Sequence, residues 1–218
     1  MSQTYFILDT ETASLEGGVV EIAWLEINSN LEVVSEFVSR VNPERPIEPG
    51  AQAVHGISDA DVADKPTLKD IATRLPKGIK MIAHNVPFDL KMVQEHIEVE
   101  ATLCTLALAR RTIPSIDNHK LSTLATTLGL DTKKAHSALG DCYLVLGLLR
   151  HLIELNRVTL HTSFTRQHLP KIVHRMPFGK FKGRFTMHVP SDYRRWLLGQ
   201  SNVDKDIVYT FKMLEKIK

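Results

Sequence analysis

The chain has 218 residues, 43% of them hydrophobic and 24% charged. That balance excludes a largely disordered chain, a collagen-like repeat and a disulfide-stapled mini-protein. No run of about 18 uncharged apolar residues occurs, so no membrane span is expected, and the start Met1–Asp9 lacks the basic lead of a secretory signal.

The two cysteines, Cys104 and Cys142, lie outside any C-x-x-C pair. They are expected to be buried thiols in a reducing compartment, the cytoplasm, and a cysteine zinc site is excluded. The net charge of +2 hides an asymmetry. Residues 1–156 carry 14 Lys+Arg against 21 Asp+Glu, whereas residues 157–218 carry 13 against 4. So basic a last quarter implies an electrostatic footprint for a polyanion.

In chain order, Tyr5-Phe-Ile-Leu-Asp9 is a short apolar run, as in a central strand covered on both faces. Val19–Ile27 and Val33–Val41 are rich in β-branched residues and flank the turn signal Asn28-Ser-Asn30, so they predict a hairpin. Residues 43–50 hold Pro43, Pro46, Pro49 and Gly50 and predict a loop. A helix over Thr67–Leu75 leads through Pro76-Lys-Gly78 to a strand, Ile79–Ala83, and Pro87 opens a further helix. A strand at Ala101–Thr105 is followed by helices at Leu106–Thr112, Lys120–Leu128 and Ser137–Asn156. Three strands followed by alternating helices and strands indicate an α/β fold with a mixed sheet. The expected division is a domain over 1–156, a linker over 157–176 and a small basic C-terminal unit over 177–218. That unit is predicted to hold a tight hairpin, Pro177–Gly183, and two short helices, Ser191–Leu198 and Asp204–Lys216.

The acids carry the chemistry. On a strand Asp9 and Glu11 share a face, with Cα atoms about 7 Å apart. Two acids ending an apolar strand are costly to bury unless paired or bound to metal. Asp89 heads the apolar stripe Met92, Val93, Ile97, and Asp141 heads Leu144, Val145, Leu148, Leu152. His136 lies five residues before Asp141 and converges with it more easily from the loop before the helix. One strand and two helix starts thus aim four carboxylates inward from one end of the layer. Clustered carboxylates raise one another's pKa values. Hard divalent cations, Mg²⁺ or Mn²⁺, resolve the conflict. Two such ions can hold an attacking water and a leaving oxygen in phosphoryl displacement.

Asp9-Thr-Glu11, His84-Asn-Val-Pro-Phe-Asp89 and His136-Ser-Ala-Leu-Gly-Asp141 resemble, in order, the three exonuclease motifs of the DnaQ-like family, and His136 marks its DEDDh branch. Val20-Glu-Ile-Ala23 and Gln52-Ala-Val-His-Gly-Ile57 resemble further family segments. The resemblance implies a ribonuclease H-like mixed sheet flanked by helices over about residues 4–155, with the basic C-terminal unit as an appendage. It implies 3′-to-5′ release of 5′-mononucleotides with two Mg²⁺ ions, Mn²⁺ being the other option. Asp9, Glu11, Asp89 and Asp141 are the implied ligands, Asp9 bridging both ions. His136 is the implied general base, taking a proton from the attacking water. Thr10, Leu15, His55 and Phe88 are the expected contacts of the terminal nucleotide, with Leu15 stacking on a terminal base or wedging beneath it. Ala13 departs from the pattern, since many relatives carry glycine there.

Two other classes compete. An aspartyl-phosphate phosphatase needs a second aspartate where Glu11 stands. A non-catalytic nucleic-acid-binding protein does not require all five motif residues. The residues leave DNA against RNA open, because that choice rests on contacts to the sugar 2′-position. An exoribonuclease or a polymerase-proofreading subunit would share the five residues. The segments Phe178-Gly-Lys-Phe-Lys-Gly183 and Arg195-Trp-Leu197 resemble those of a stand-alone DNA-degrading branch, which favours DNA, single-stranded or duplex at the 3′ end. Lys180 and Lys182 are expected phosphate contacts. Trp196 and Phe178 are expected in the core of the small unit.

Overall fold

The computed structural model describes residues 3–116, 118–132 and 137–216. The five strands are β1 (Tyr5–Ser14), β2 (Gly17–Ile27), β3 (Val33–Arg40), β4 (Ile79–Ala83) and β5 (Val99–Cys104). They form one sheet in the spatial order β3-β2-β1-β4-β5. β1, β2 and β3 pair antiparallel, and β1, β4 and β5 pair parallel. The mixed sheet is therefore as expected, and so is the hairpin turn after Ile27, where Leu31 at φ 65° closes a backbone bond to Asn28.

Eight helices accompany the sheet among the described residues of this unit: α1 (Pro49–His55), α2 (Asp59–Val62), α3 (Leu68–Ala72), α4 (Val86–Val93), α5 (Thr105–Thr112), α6 (Leu121–Thr127), α7 (Ala138–Asn156) and α8 (Leu160–Arg166). Tyr5 and Ile7 of β1 join Ala23, Leu25 and Ile27 of β2 in a core built with α5, α6, α7 and α8. Phe6 and Leu8 join Ile22 and Trp24 on the opposite face, against α3 and α4. The apolar run of β1 is continuous because both faces are covered. Its alternation assigns odd positions to the α7 face and even positions to the α4 face.

α7 buries Ala138, Cys142, Val145, Leu149 and Leu152 at spacings of three and four. Its N-cap Ser137 accepts from the Gly140 N–H at 3.2 Å, and it ends at Arg157 in the left-handed region. Truncating Leu148, fully buried on this helix, to alanine would cost about 2–5 kcal/mol.

Pro49 and Gly50, expected in loop, form the first turn of α1, where proline suits the N1 position. Ala13 is fully buried in a third cluster with Val20, Ile47, Ile57 and Val62, so its methyl group serves as packing.

The chain divides into two compact units, Met1–Gln167 and His168–Lys218. The expected linker 157–176 is thus apportioned between them. Leu160 and Phe164 of α8 pack in the first core, and Val173 and Met176 in the core of the second unit. Within the second unit, an antiparallel bridge between Arg175 and Phe185 closes the loop that contains Pro177–Gly183. A 3-10 turn (Thr186–His188), α9 (Ser191–Leu198) and α10 (Lys205–Lys216) follow.

Met176, Val189, Leu197, Ile207 and Phe211 form this unit's core. Trp196 and Phe178 do not: they are 56% and 38% exposed. α9 turns Leu197 and Arg194 inward, which leaves Trp196 on the outer face. No described helix is long and apolar enough to cross a membrane.

Candidate active site

β1 outruns its parallel neighbour. Pairing with β4 is registered at Phe6–Met81 and Ile7–Ile82, whereas pairing with β2 continues to Ser14, with a bulge after Glu11. From Asp9 onward the β4 side of the strand lacks a registered partner. The acids begin where the sheet opens.

The parity of β1 sorts the site. Asp9 and Glu11 extend the Tyr5–Ile7 face towards α7, whose fourth residue is Asp141. Carboxylate oxygens of Asp9, Glu11 and Asp141 lie within 4.8 Å of one another. Thr10, buried, extends the other face towards α4, whose fourth residue is Asp89. Thr10 donates its backbone N–H and its hydroxyl to Asp89 Oδ1, at 3.1 and 2.9 Å. Thr10, expected at the substrate, instead has its polar groups engaged in fixing Asp89. Asn85, in the left-handed region at φ 77°, makes the turn into α4.

Burial, followed by the charges of Asp89, Asp141, Glu11 and Glu21, holds the Asp9 carboxyl well above the usual carboxylate range. Burial, then Asp141, Glu21 and Asp89, pushes Glu11 up to about 7 against the pull of the Arg40 guanidinium. Burial pushes Asp89 up to about 7, opposed by the two hydrogen bonds from Thr10. The Cys142 thiol, buried beneath these acids and within reach of the Ile7 and Ala23 carbonyls, is raised by burial and then by Asp9.

Oxygen ligands that repel one another in a partly dry site fit a hard divalent cation. Asp9, Glu11 and Asp141 can hold one directly, and Asp89 stands beside them.

Sequence reasoning missed the role of Glu21. It is buried on β2 directly opposite Glu11. Its Oε2 accepts the N–H of Ala138, the first residue of α7, at 2.9 Å, and its Oε1 lies 3.5 Å from Arg40 Nε. Glu21 thereby ties β2 to the start of the helix that carries Asp141. The available signal was an acid inside the apolar run Val19-Val-Glu-Ile-Ala23.

Beside Glu11 lies a pocket of about 360 Å³ lined by Leu15, Ala51, Val54 and His55 among others. Leu15 is 81% exposed. His55 Nδ1 accepts the Ile57 N–H at 3.0 Å, so Nε2 carries the proton and faces the Thr12 carbonyl at 3.2 Å. Burial holds this ring below its ordinary pKa, so a neutral imidazole with both nitrogens committed borders the pocket. His84 is a tie of the same kind: its nitrogens meet the Thr105 hydroxyl and the His119 carbonyl at 3.0 and 2.8 Å.

Phe88 is half-buried beside Asp89 in α4 and is not part of the lining of the Leu15 pocket. His136 lies outside the described residues. Lys180 and Lys182 are exposed in the second unit.

A family model described as "Exonuclease" matches residues 6–149. Another, described as "Putative quorum-sensing-regulated virulence factor", matches residues 165–204. Exodeoxyribonuclease 10 of Escherichia coli (strain K12) is 33% identical over 205 residues, covering 91% of each chain. DNA polymerase III subunit epsilon of Pasteurella multocida (strain Pm70) is 33% identical over 159 residues, 62% of this chain and 62% of that protein. Among solved structures, exonuclease X in complex with 5′ overhanging duplex DNA matches with a TM-score of 0.68 at 33% identity, over 75% of this chain and 99% of the other. Exonuclease I matches with a TM-score of 0.61 at 17% identity, over 75% of this chain and 42% of the other, and supports the ribonuclease H-like fold alone. With its motif acids gathered at the end of β1 and the match running through nearly the whole first unit, the chain belongs to the DnaQ-like exonuclease family.

Proposed function

We propose that the protein removes nucleotides one at a time from the 3′ ends of DNA, releasing 5′-mononucleotides. The observation that carries this reading is the convergence of Asp9, Glu11 and Asp141 beside the Leu15–His55 pocket. DNA is favoured by the relatives: one is named an exodeoxyribonuclease, and a structural neighbour at 33% identity was solved with duplex DNA.

Two Mg²⁺ ions, or Mn²⁺ in their place, held by Asp9, Glu11, Asp89 and Asp141 would offset the charge that builds on the phosphoryl group and on the leaving 3′-oxygen. Thr10 keeps Asp89 in place and Glu21 holds the start of α7, so both helix-borne carboxylates are fixed before substrate arrives. His136 takes a proton from the attacking water, and the 3′-oxygen leaves with a proton from solvent. His55 is not the base, because both of its nitrogens hold backbone partners. It flanks the terminal nucleotide with Leu15, and Phe88 supports the site from α4. The two thiols are unpaired, which suits a reducing compartment such as the cytoplasm.

Matched 3′-labelled DNA and RNA strands, single and paired, incubated with Mg²⁺ and with EDTA, test the reading. Mononucleotide release from DNA that stops in EDTA is expected. Intact substrates throughout would leave a binding protein, and preferential loss of RNA would reassign the substrate.

A further inference from the structure

The second unit contains a concave site that the exonuclease chemistry does not use. A cavity of about 460 Å³ is lined by Lys180, Phe181, Pro190, Asp192, Tyr193 and Trp196, a size in the range of small-ligand sites. Its rings are arranged as a wall. Phe181 meets Tyr193 edge-on at 4.7 Å, and Tyr193 and Trp196 lie 5.2 Å apart at a 38° tilt. The core of the unit is completed by Leu197, Ile207 and Phe211, and Trp196 is 56% exposed. Burying the core therefore does not explain the indole.

The loop that delivers Lys180 is built for close approach. Gly179 sits at φ +72°, and a Cβ there would stand 2.7 Å from the Tyr193 hydroxyl. A side chain there would be strained at this φ and would have to displace the Tyr193 hydroxyl or the loop. Lys180, Lys182, Arg184 and Arg195 are exposed in this unit, and Lys180 and Arg184 lie within 6 Å of the Phe181 ring. Residues 168–218 carry 11 Lys+Arg against 4 Asp+Glu. Asp192 is the acid of the cavity, so an anion is favoured at its Lys180 side.

We propose that this cavity is a second nucleic-acid site, which stacks an unpaired nucleobase on Trp196 with its phosphate on Lys180. Exposed rings serve every base through its π-face, and neighbouring cations take the backbone. The inference rests on the nuclease reading only in naming a polynucleotide as the ligand. The slot binds single strands at a place separate from the carboxylates and adds to the affinity for strands long enough to engage both.

The chain has two tryptophans, and Trp24 is buried against Phe37. In the full-length Trp24→Phe protein Trp196 is the one remaining indole. Oligo(dT) and oligo(U) are titrated into it in EDTA, where cleavage is stopped. Saturable quenching of Trp196 emission is expected. In the otherwise wild-type chain, Trp196→Ala should weaken binding of a fluorescein-labelled strand by about 5-fold or more, the change that follows from about 1 kcal/mol per stacked base, and Trp196→Phe should restore most of it.

Unchanged Trp196 emission while the labelled strand binds would overturn the proposal, and so would equal affinity of Trp196→Ala and wild type. If Trp24→Phe does not fold, the Trp196→Ala and Trp196→Phe pair decides alone. Quenching in a protein that releases no nucleotide with Mg²⁺ would sink the catalytic reading and leave the slot. Normal nucleotide release with an unresponsive Trp196 would do the reverse.

Discussion

α4 and α7 each carry an aspartate at the fourth helical position, and each delivers it to the same strand from opposite faces. The outcomes differ. Asp89 meets the even face of β1, where Thr10 donates two hydrogen bonds to one of its oxygens. Asp141 meets the odd face, where Asp9 and Glu11 crowd it within 4.8 Å. The same residue type at the same helical position is thus anchored by hydrogen bonds in one place and crowded by two carboxylates in the other, while the charges of both aspartates act on Asp9. The parity of a single β-strand makes the difference. A cluster of this kind could hold a metal ion and is a poor stabilising element without one.

The sharpest way to break the comparison is to remove a charge from the crowded face. Asp9→Asn and Asp141→Asn should each lower mononucleotide release by about 10⁴-fold, which corresponds to several kcal/mol of lost charge stabilisation. In EDTA at pH 8 the same variants should melt at or above the wild-type temperature, because one of the mutually repelling carboxyls is gone. A large loss of both activity and stability would mean that these acids are structural.

His136→Ala should cost about 10³-fold, within the usual range for a general base. Turnover near wild type at pH 7 would remove the assignment.

These acids were legible in the sequence for a physical reason. A carboxylate ending an apolar strand, or heading an apolar helical stripe, contradicts its surroundings, and three such contradictions in fixed order are hard to produce otherwise. The strands and long helices were legible through periodicity, as in Ile79–Ala83 and α7. Glu21 was less legible because its meaning depends on register: only the pairing of β2 sets it opposite Glu11 and under the Ala138 N–H. The bond of Thr10 to Asp89 was not legible, because parity assigns a face but not the partner waiting there. Trp196 was placed in the core on composition alone, and the packing of α9 turned Leu197 inward instead.

The supporting face gives a smaller effect. Thr10→Val removes the hydroxyl bond to a buried carboxylate and keeps the backbone one. Loss of such an outer partner typically costs 10–100-fold in metal affinity or activity. Here it should appear mainly as a higher Mg²⁺ concentration for half-maximal rate, with the plateau largely kept. A fallen plateau at unchanged Mg²⁺ requirement would place Thr10 at the substrate after all.

The raised carboxyls also set a pH dependence of stability. Asp9, Glu11 and Asp89 hold protons more tightly in the folded chain than in the unfolded one. The contribution of Glu11 and Asp89 to stability is therefore fully present below about pH 4 and is lost as the pH rises through about 7, and Asp9 adds to it in the same direction. Mg²⁺ should offset that loss, so the rise in Tm on adding it should be several degrees larger at pH 8 than at pH 5. Each kcal/mol is worth about 2–4 °C in a chain of this size. An equal rise at both pH values would show that the acids are not what the ion binds.

The smallest effect concerns the open end of β1. Leu15 projects into solvent beside the pocket that Glu11 and His55 share, while Ala13, two residues earlier, is fully packed. A leucine that makes no core contribution but borders the site is suited to separate a terminal base from its pair. That separation costs a few kcal/mol for each step unstacked, and a single strand does not require it. Leu15→Ala should therefore slow digestion of blunt duplex ends by about 10-fold, the equivalent of about 1.4 kcal/mol. Single strands should slow by no more than about 2-fold, and Tm should stay within about 2 °C, as for a surface substitution. Comparing initial rates on one labelled strand, alone and annealed, isolates the term, since every other contact with that strand is held constant. Equal slowing on the two substrates would make Leu15 a general contact of the terminal nucleotide. Faster digestion of the duplex would mean that the side chain obstructs the paired end.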